Sequence, residues 1–559
     1  VTWTVPYSAC PDFSGMTKRR MQVANLPERV ANLATNLKSA AKSEADFHVD
    51  FGQKHILHKK TNGMYPTLTL AFLFLSVLLF SQTRIGIFEN ATDVWAGPLT
   101  GQTRYDSTAQ RYTLSGAGAG VGAVEDGFHF SHKKLDGDFI LNTRVLPAGA
   151  KDSERRMSGW MVRSGLEADA AMACAAVRGD GQAVIRFRRS RGAASEEVIS
   201  PIPMPDVIQL ERRNGSFHIS FARFGEPFWT VEVPGFDFPP TLLAGLFVCS
   251  QDEKKTENAV FDNVRIVLPP GPGFVPYRDY LGSHIEVLDV VSGERQIVYS
   301  ASGSLQAPNW LPDNSGLIYN SGGLIYRFDF SSKKTFVVNT DFVVHNNNDH
   351  VISFDGKMLG LSSSSGEEEF GSLIYTVPIG GGKPVRITPT GPSYLHGWSP
   401  DGKWLTYTGL RNGEYDIYII PVQGGDEIRL THAPGLDDGS EYSPDGKWIY
   451  FNSVRTGSME LWRMRPDGSF PEQLTDDAFQ NWFPHVSPDG KWLVFLSYMP
   501  EVKADDHPFY KHVYLRIMPA GGGKPRVIAY LYGGQGTINT PSWSPDGKKV
   551  AFVSNTGGI

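Results

Sequence analysis

The sequence predicts an all-β protein of two domains, a β-sandwich followed by a propeller of six four-stranded sheets. Three observations predict it. A turn motif, Ser-Pro-Asp-Gly-Lys, recurs through the C-terminal half at a period of about 44 residues. Glycine (59 residues) and aromatic side chains (12%) are abundant, while long helical patterns are scarce. A chain of 559 residues is also too long for one hydrophobic core.

The repeat fixes the C-terminal half, residues 283–559. Full copies are Trp398-Ser-Pro-Asp-Gly-Lys403, Tyr442-Ser-Pro-Asp-Gly-Lys447, Val486-Ser-Pro-Asp-Gly-Lys491 and Trp543-Ser-Pro-Asp-Gly-Lys548. Degenerate copies are Trp310-Leu-Pro-Asp-Asn314 and Ile352-Ser-Phe-Asp-Gly-Lys357. The aspartates 313, 355, 401, 445, 489 and 546 are spaced by 42, 46, 44, 44 and 57 residues. Each copy is a hairpin turn: proline presets φ, aspartate caps, and glycine takes positive φ. A strand such as Trp404-Leu-Thr-Tyr-Thr408 follows, and then a second hairpin such as Asp416–Pro421 turning at Gly424-Gly425. Four strands per period make a propeller blade. One hairpin, His284–Leu288 with Gln296–Tyr299, precedes every turn motif. The first and last strands are therefore expected to pair in one sheet and close the ring, with the propeller complete near Ile559. The long fifth interval holds an insertion around Met499–Lys511, expected as a loop over one face.

These repeats resemble the TolB-type propeller family over about half the chain. The resemblance implies the fold and, since that family includes the periplasmic partner of the Tol system, an envelope protein as partner. There is no sign of the extra α/β domain that TolB carries. No Gly-x-Ser-x-Gly elbow or following α/β-hydrolase domain points to a prolyl-oligopeptidase-type peptidase.

Residues 83–268 alternate in short strands, among them Gly137–Arg144, Ala183–Arg188, Val207–Arg212, Phe217–Phe221 and Leu243–Cys249. The segments Gly137-Asp-Phe, Gly159–Arg163, Ala244–Val248 and Phe261-Asp-Asn-Val-Arg265 resemble a concanavalin-like jelly roll, which implies a carbohydrate-associated module. Residues 269–282, opening Pro-Pro-Gly-Pro-Gly, read as a stiff linker.

Upstream, Leu68–Phe80 (LTLAFLFLSVLLF) has signal-peptide length. Residues 64–82 are read as a signal peptide starting at Met64 and cleaved near Gln82, and 1–63 as a non-native leader. The alternative is an uncleaved anchor. In either case the protein is expected to be exported, periplasmic or extracellular. No cysteine follows the apolar run to carry a lipid. Of the three cysteines, Cys174 and Cys249 fall in strand-like runs and are read as buried thiols or one disulfide; no zinc spacing occurs. With 53 basic and 59 acidic residues, the near-balanced charge gives no support for nucleic-acid binding.

The first strand of each blade lines the channel, so the residues before each turn motif should converge. They are Asn309, Asp349 and His350, His396, Asp438 and Glu441, Trp482 and His485, and Asn539. Imidazoles and carboxylates suit a divalent metal at His350, His396 and His485. Oligogalacturonate lyase, a propeller with metal-binding channel histidines, makes that reading reasonable. Alternatively, Trp482 and the planar polar groups form a sugar cradle. Strand alternation sets His350 and His396, five residues before their aspartates, on the opposite face from Glu441 and His485, four before, unless bulges intervene. Water-filling structural polarity is the plain reading of all these residues. The preferred function is binding of a glycan or other cell-envelope polymer, and the competing class is a glycan lyase or hydrolase. Ser362–Phe370 and Arg186–Arg191 read as solvated, the second with an acidic-glycan contact as its alternative.

Overall fold

The computed structural model describes residues 85–558, apart from 95–96, 123–124, 147–153, 155, 365 and 367–369. The leader, the signal peptide and Cys10 lie outside the described residues, as does part of the Ser362–Phe370 loop. Every regular element among the described residues is a strand. No helix there is long and apolar enough to cross a membrane.

The N-terminal half is two antiparallel sheets packed face to face. One orders Asn90–Val94, Asp126–Asp136, Thr241–Cys249, Met157–Arg163, Met172–Arg178, Gln182–Arg188 and Glu196–Pro203; the other orders Trp229–Val233, Ser216–Ala222, Val207–Arg213, Phe139–Leu146, Asp252–Val267, Arg111–Gly118 and Gln102–Asp106. Alternation supplies the shared core, with Trp160, Ala173 and Ile185 from the first sheet against Leu114, Phe139, Leu210 and Phe217 from the second. Cys174 and Cys249 are free thiols, buried, and burial pushes both up to about 12.

The C-terminal half is a six-bladed propeller. Five blades have four strands in chain order, as in Ser393–Trp398, Trp404–Arg411, Glu414–Pro421 and Ile428–Arg429. In the sixth sheet Gly282–Asp289 lies between Arg295–Ala301 and Lys549–Thr556, in antiparallel register from Gly282↔Thr556 to Asp289↔Lys549. Its innermost segment is reduced to a bridge between Trp543 and Val550. Three outermost strands, Val385–Arg386, Ile428–Arg429 and Glu472–Gln473, are only two residues long. Ile428–Thr431 keeps only Ile428–Arg429, because the Ile417 amide donates to the Thr431 hydroxyl (2.9 Å) in place of a ladder bond.

The turn motif is self-contained. Ser399 Oγ donates to Asp401 Oδ1 (2.6 Å), the Lys403 amide donates to the same oxygen (3.1 Å), and the Trp404 amide donates to Ser399 Oγ (2.9 Å). Gly402 sits at φ +68°. The aromatic residue before the motif ties blades together: Trp398 Nε1 donates to the Val351 carbonyl (2.9 Å) and Trp543 Nε1 to the His485 carbonyl (3.0 Å).

Sandwich and propeller are docked through a buried charge triad. A bulge in Asp252–Val267, with Asn263 at φ +52°, places Arg265 against the propeller. Arg265 Nη2 (2.6 Å) and Arg295 Nε (3.1 Å) both donate to Glu286 Oε2, while Ser554 Oγ donates to Glu286 Oε1 (2.6 Å). Burial opposes the Glu286 charge, but the two guanidiniums outweigh it and hold the carboxyl far below its usual range. Four strands from both halves thus meet at one carboxylate.

Candidate functional site

Bulges decide which side chains meet. All five regular innermost strands carry a register shift: Gln306/Asn309, Asn346/His350, Leu395/Gly397, Asp438/Glu441 and Trp482/His485. In the third blade the bulge falls on His396, which has no partner across the ladder. In the second blade His350 stays in register with Leu361, and the bulge takes Asn347–Asp349. Counting residues from the turn aspartate therefore pairs His350 with His396 wrongly; Asp349 is the side chain that joins His396.

The resulting cluster is Asp349, His396 and Asp438, from three consecutive blades, with His507 from the insertion. His396 Nε2 lies 2.9 Å from Asp438 Oδ1. That oxygen also accepts from Thr408 Oγ1 (2.6 Å) and the Gly439 amide (2.8 Å). Burial would raise the Asp438 carboxyl, but His396, His507 and Thr408 outweigh it and set it at about 2. Asp349 has no such support. Burial, reinforced by Asp438 and only partly offset by His396, pushes it up to about 7. Burial disfavours the charged His396 ring, yet Asp438 and Asp349 overcome this and raise it. His507 is lowered by burial against the pull of Asp438 and Asp506. The wall is aromatic: Phe483 lies 6.0 Å from His396 and 5.6 Å from His507 between ring centroids.

Behind this cluster lies a layer of staples. Glu441 Oε2 meets His485 Nδ1 at 2.6 Å, and Glu441 Oε1 accepts from the Val486 amide (3.0 Å). His485 Nε2 faces the Ile538 carbonyl at 2.5 Å. Asn309 does the same work between other blades, accepting from the Ile352 amide (2.9 Å) and donating to the Pro541 carbonyl. Asn539 accepts from the Gly536 amide (2.8 Å) and donates to Gln535 (3.2 Å). With its amide turned to match donors to acceptors, Asn348 receives Gln535 and Asn539 and donates to Asp349 Oδ1 (3.3 Å).

The residues expected to ligate a metal or to form a sugar platform are placed as follows. His350 is fully buried, held down at about 4 by burial with backbone of Ile318 and Ala307 opposing, and no carboxylate faces it. Both nitrogens of His485 are engaged, and one of His396 is committed to Asp438. Among the described residues no group of three or more His, Cys, Asp or Glu is arranged to hold a metal ion. Trp482 is core: fully buried among Met459, Val494 and Leu496, with its ring against His507 at 4.5 Å. The residue missed by counting strands is His507. Its signal was the 57-residue interval containing PEVKADDHPFY.

Comparison with known proteins agrees with this architecture. The TolB beta propeller domain family matches residues 396–505. An uncharacterized protein of Agrobacterium fabrum is 45% identical over 288 residues, 51% of this chain and 95% of that protein. The solved structure of a provisionally assigned TolB from Agrobacterium tumefaciens is 44% identical, covers 50% of this chain and 99% of its own, and superposes with a TM-score of 0.48. The Tol-Pal system protein TolB of Desulfosudis oleivorans is 37% identical over 67 residues, 12% of this chain and 14% of that protein. The chain belongs to the family of TolB-like β-propeller proteins that includes the Agrobacterium fabrum relative.

Proposed function

We propose that this is an exported TolB-like propeller protein that binds a hydroxyl-rich cell-envelope polymer at the mouth of its channel. The observation that carries the reading is the cluster of Asp349, His396, Asp438 and His507 on the innermost strands and the insertion. A carboxyl near 7 both donates and accepts at neutral pH, while Asp438 accepts only, so the pair matches hydroxyl groups, which do both. A ring fastened by its first and last strands is supported by the Gly282↔Thr556 register, and a rigid ring preorganises such a site. We read the two packed sheets as a concanavalin-like jelly roll and a second contact surface.

The Tol-Pal system named for the Desulfosudis relative is where an envelope-protein partner would be sought. Export is tested by fusing residues 64–82 to a reporter active only outside the cytoplasm. Binding is tested by a glycan array read with the whole protein and with His396→Ala and Asp438→Asn. The reading requires ligands that both variants lose. Retention by both removes the channel from the function, and cleavage of a bound glycan moves the protein to the enzyme class.

A further inference from the structure

Along the seam between sandwich and propeller runs a cleft of about 530 Å3, within the size range of small-ligand sites. It adjoins a recess of about 190 Å3, and the two share Glu211, Arg213, Met499 and His512. We propose that this seam is a second binding site, separate from the channel, for an uncharged oligosaccharide.

Charge balance argues for the ligand class. Four carboxylates and four Lys or Arg side chains line the larger cleft, Glu211 and Glu501 facing Arg212, Arg213 and Lys511 among them. Such a lining selects no net charge but sets acceptors beside donors, which suits vicinal hydroxyls. Tyr532, Pro269 and Pro270 add the apolar surface on which the C–H side of a pyranose packs.

The centre of the seam is fixed. Glu211 is buried, and its carboxylate meets His512 Nε2 across the domain boundary at 3.1 Å, with Arg213 on the other side at 3.8 Å. It is an oriented acceptor already desolvated at no further cost to a ligand. Arg213 remains half-exposed and lines the cleft, a planar donor whose side-chain partners among the described residues are His218 and Glu211. The wall facing it is the insertion, whose other side delivers His507 to the channel cluster. One loop therefore borders both sites.

The test is calorimetric titration of the whole protein with cellohexaose, maltohexaose and chitohexaose, and with a hexamer of galacturonate as the charged probe. At least one neutral hexamer is expected to bind. Arg213→Ala and Lys511→Ala, both at exposed positions that leave the core intact, are expected to weaken it about tenfold each, and Asp438→Asn by no more than about twofold. Absence of binding by every neutral hexamer, preference for the galacturonate probe, or loss in Asp438→Asn with both seam variants unaffected overturns the proposal. Because the channel variant is an arm of the same titration, failure of the seam and failure of the channel reading give different results.

Discussion

Two groups of buried charge in this molecule are treated differently. At the domain junction Glu286 is saturated: both its oxygens are occupied, two guanidiniums neutralise it, and Arg295 spends another donor on the Tyr530 carbonyl (2.9 Å). In the channel, Asp438 takes contacts from His396, Thr408 and Gly439 on one oxygen, Oδ1, and is held low, while Asp349 beside it faces burial and a like charge that His396 only partly offsets. Fully compensated charge fixes geometry, whereas a half-compensated carboxyl keeps a proton that can be exchanged with whatever enters. The difference separates scaffold from site more sharply than burial, since both groups are buried.

The comparison breaks most visibly at its saturated end. Glu286→Gln leaves two buried guanidiniums without their anion, and about 3–5 kcal/mol of stability is expected to go. Denaturant unfolding followed by separate probes in the two halves checks this; a loss under about 1 kcal/mol would show the triad to be incidental. Next comes the staple layer. His485→Ala removes the partner of Glu441 Oε2, leaving only the Val486 amide on the other oxygen, and uncouples the Ile538 carbonyl, with an expected cost of about 2–3 kcal/mol. The same experiment on His396→Ala should read a smaller loss, with ligand binding as the larger effect.

The open end is sharpened by pH. Asp349 sits at about 7 in the fold against an ordinary 3.8, so the native state holds a proton that the unfolded chain releases. Its contribution is fully present below about pH 4 and is lost as pH rises through about 7. Asp438 acts oppositely: its contribution is present above about pH 4 and lost as pH falls toward about 2. Asp349→Asn should flatten the decline of stability between about pH 4 and 7 and leave the acid limb unchanged. The smallest effect is on the surface. Lys403→Ala removes an exposed partner of Asp401 at 3.2 Å while the turn keeps its serine and amide bonds, and the melting temperature should not move.

Much of this was legible in the sequence. The Ser-Pro-Asp-Gly-Lys turns announce themselves because each makes its own hydrogen bonds, so local residues suffice to specify them. The site was only half legible. His396 and Asp438 follow from position before the turn, but the exchange of His350 for Asp349 depends on where a bulge falls, and the strand's alternation does not mark that place. Trp482 read as a platform and is a core residue, since an aromatic next to a polar strand carries the same signature in either role. Arg265 and Glu286 gave no signal at all: one lies at the end of a sandwich strand and the other in an unremarkable alternation, 21 residues apart.

The shared carboxylate also bears on how the chain is made. Glu286 and its arginines are synthesised early, but Ser554 follows 268 residues later, on the strand that covers the free edge of Gly282–Asp289. Until the ribosome delivers that strand, the edge of Gly282–Asp289 stays uncovered and the Glu286 carboxylate lacks its serine donor, the state in which an edge can pair wrongly. Product that stops short of Lys549 keeps that edge open, so the order of translation leaves the ring's seam to the last strand made.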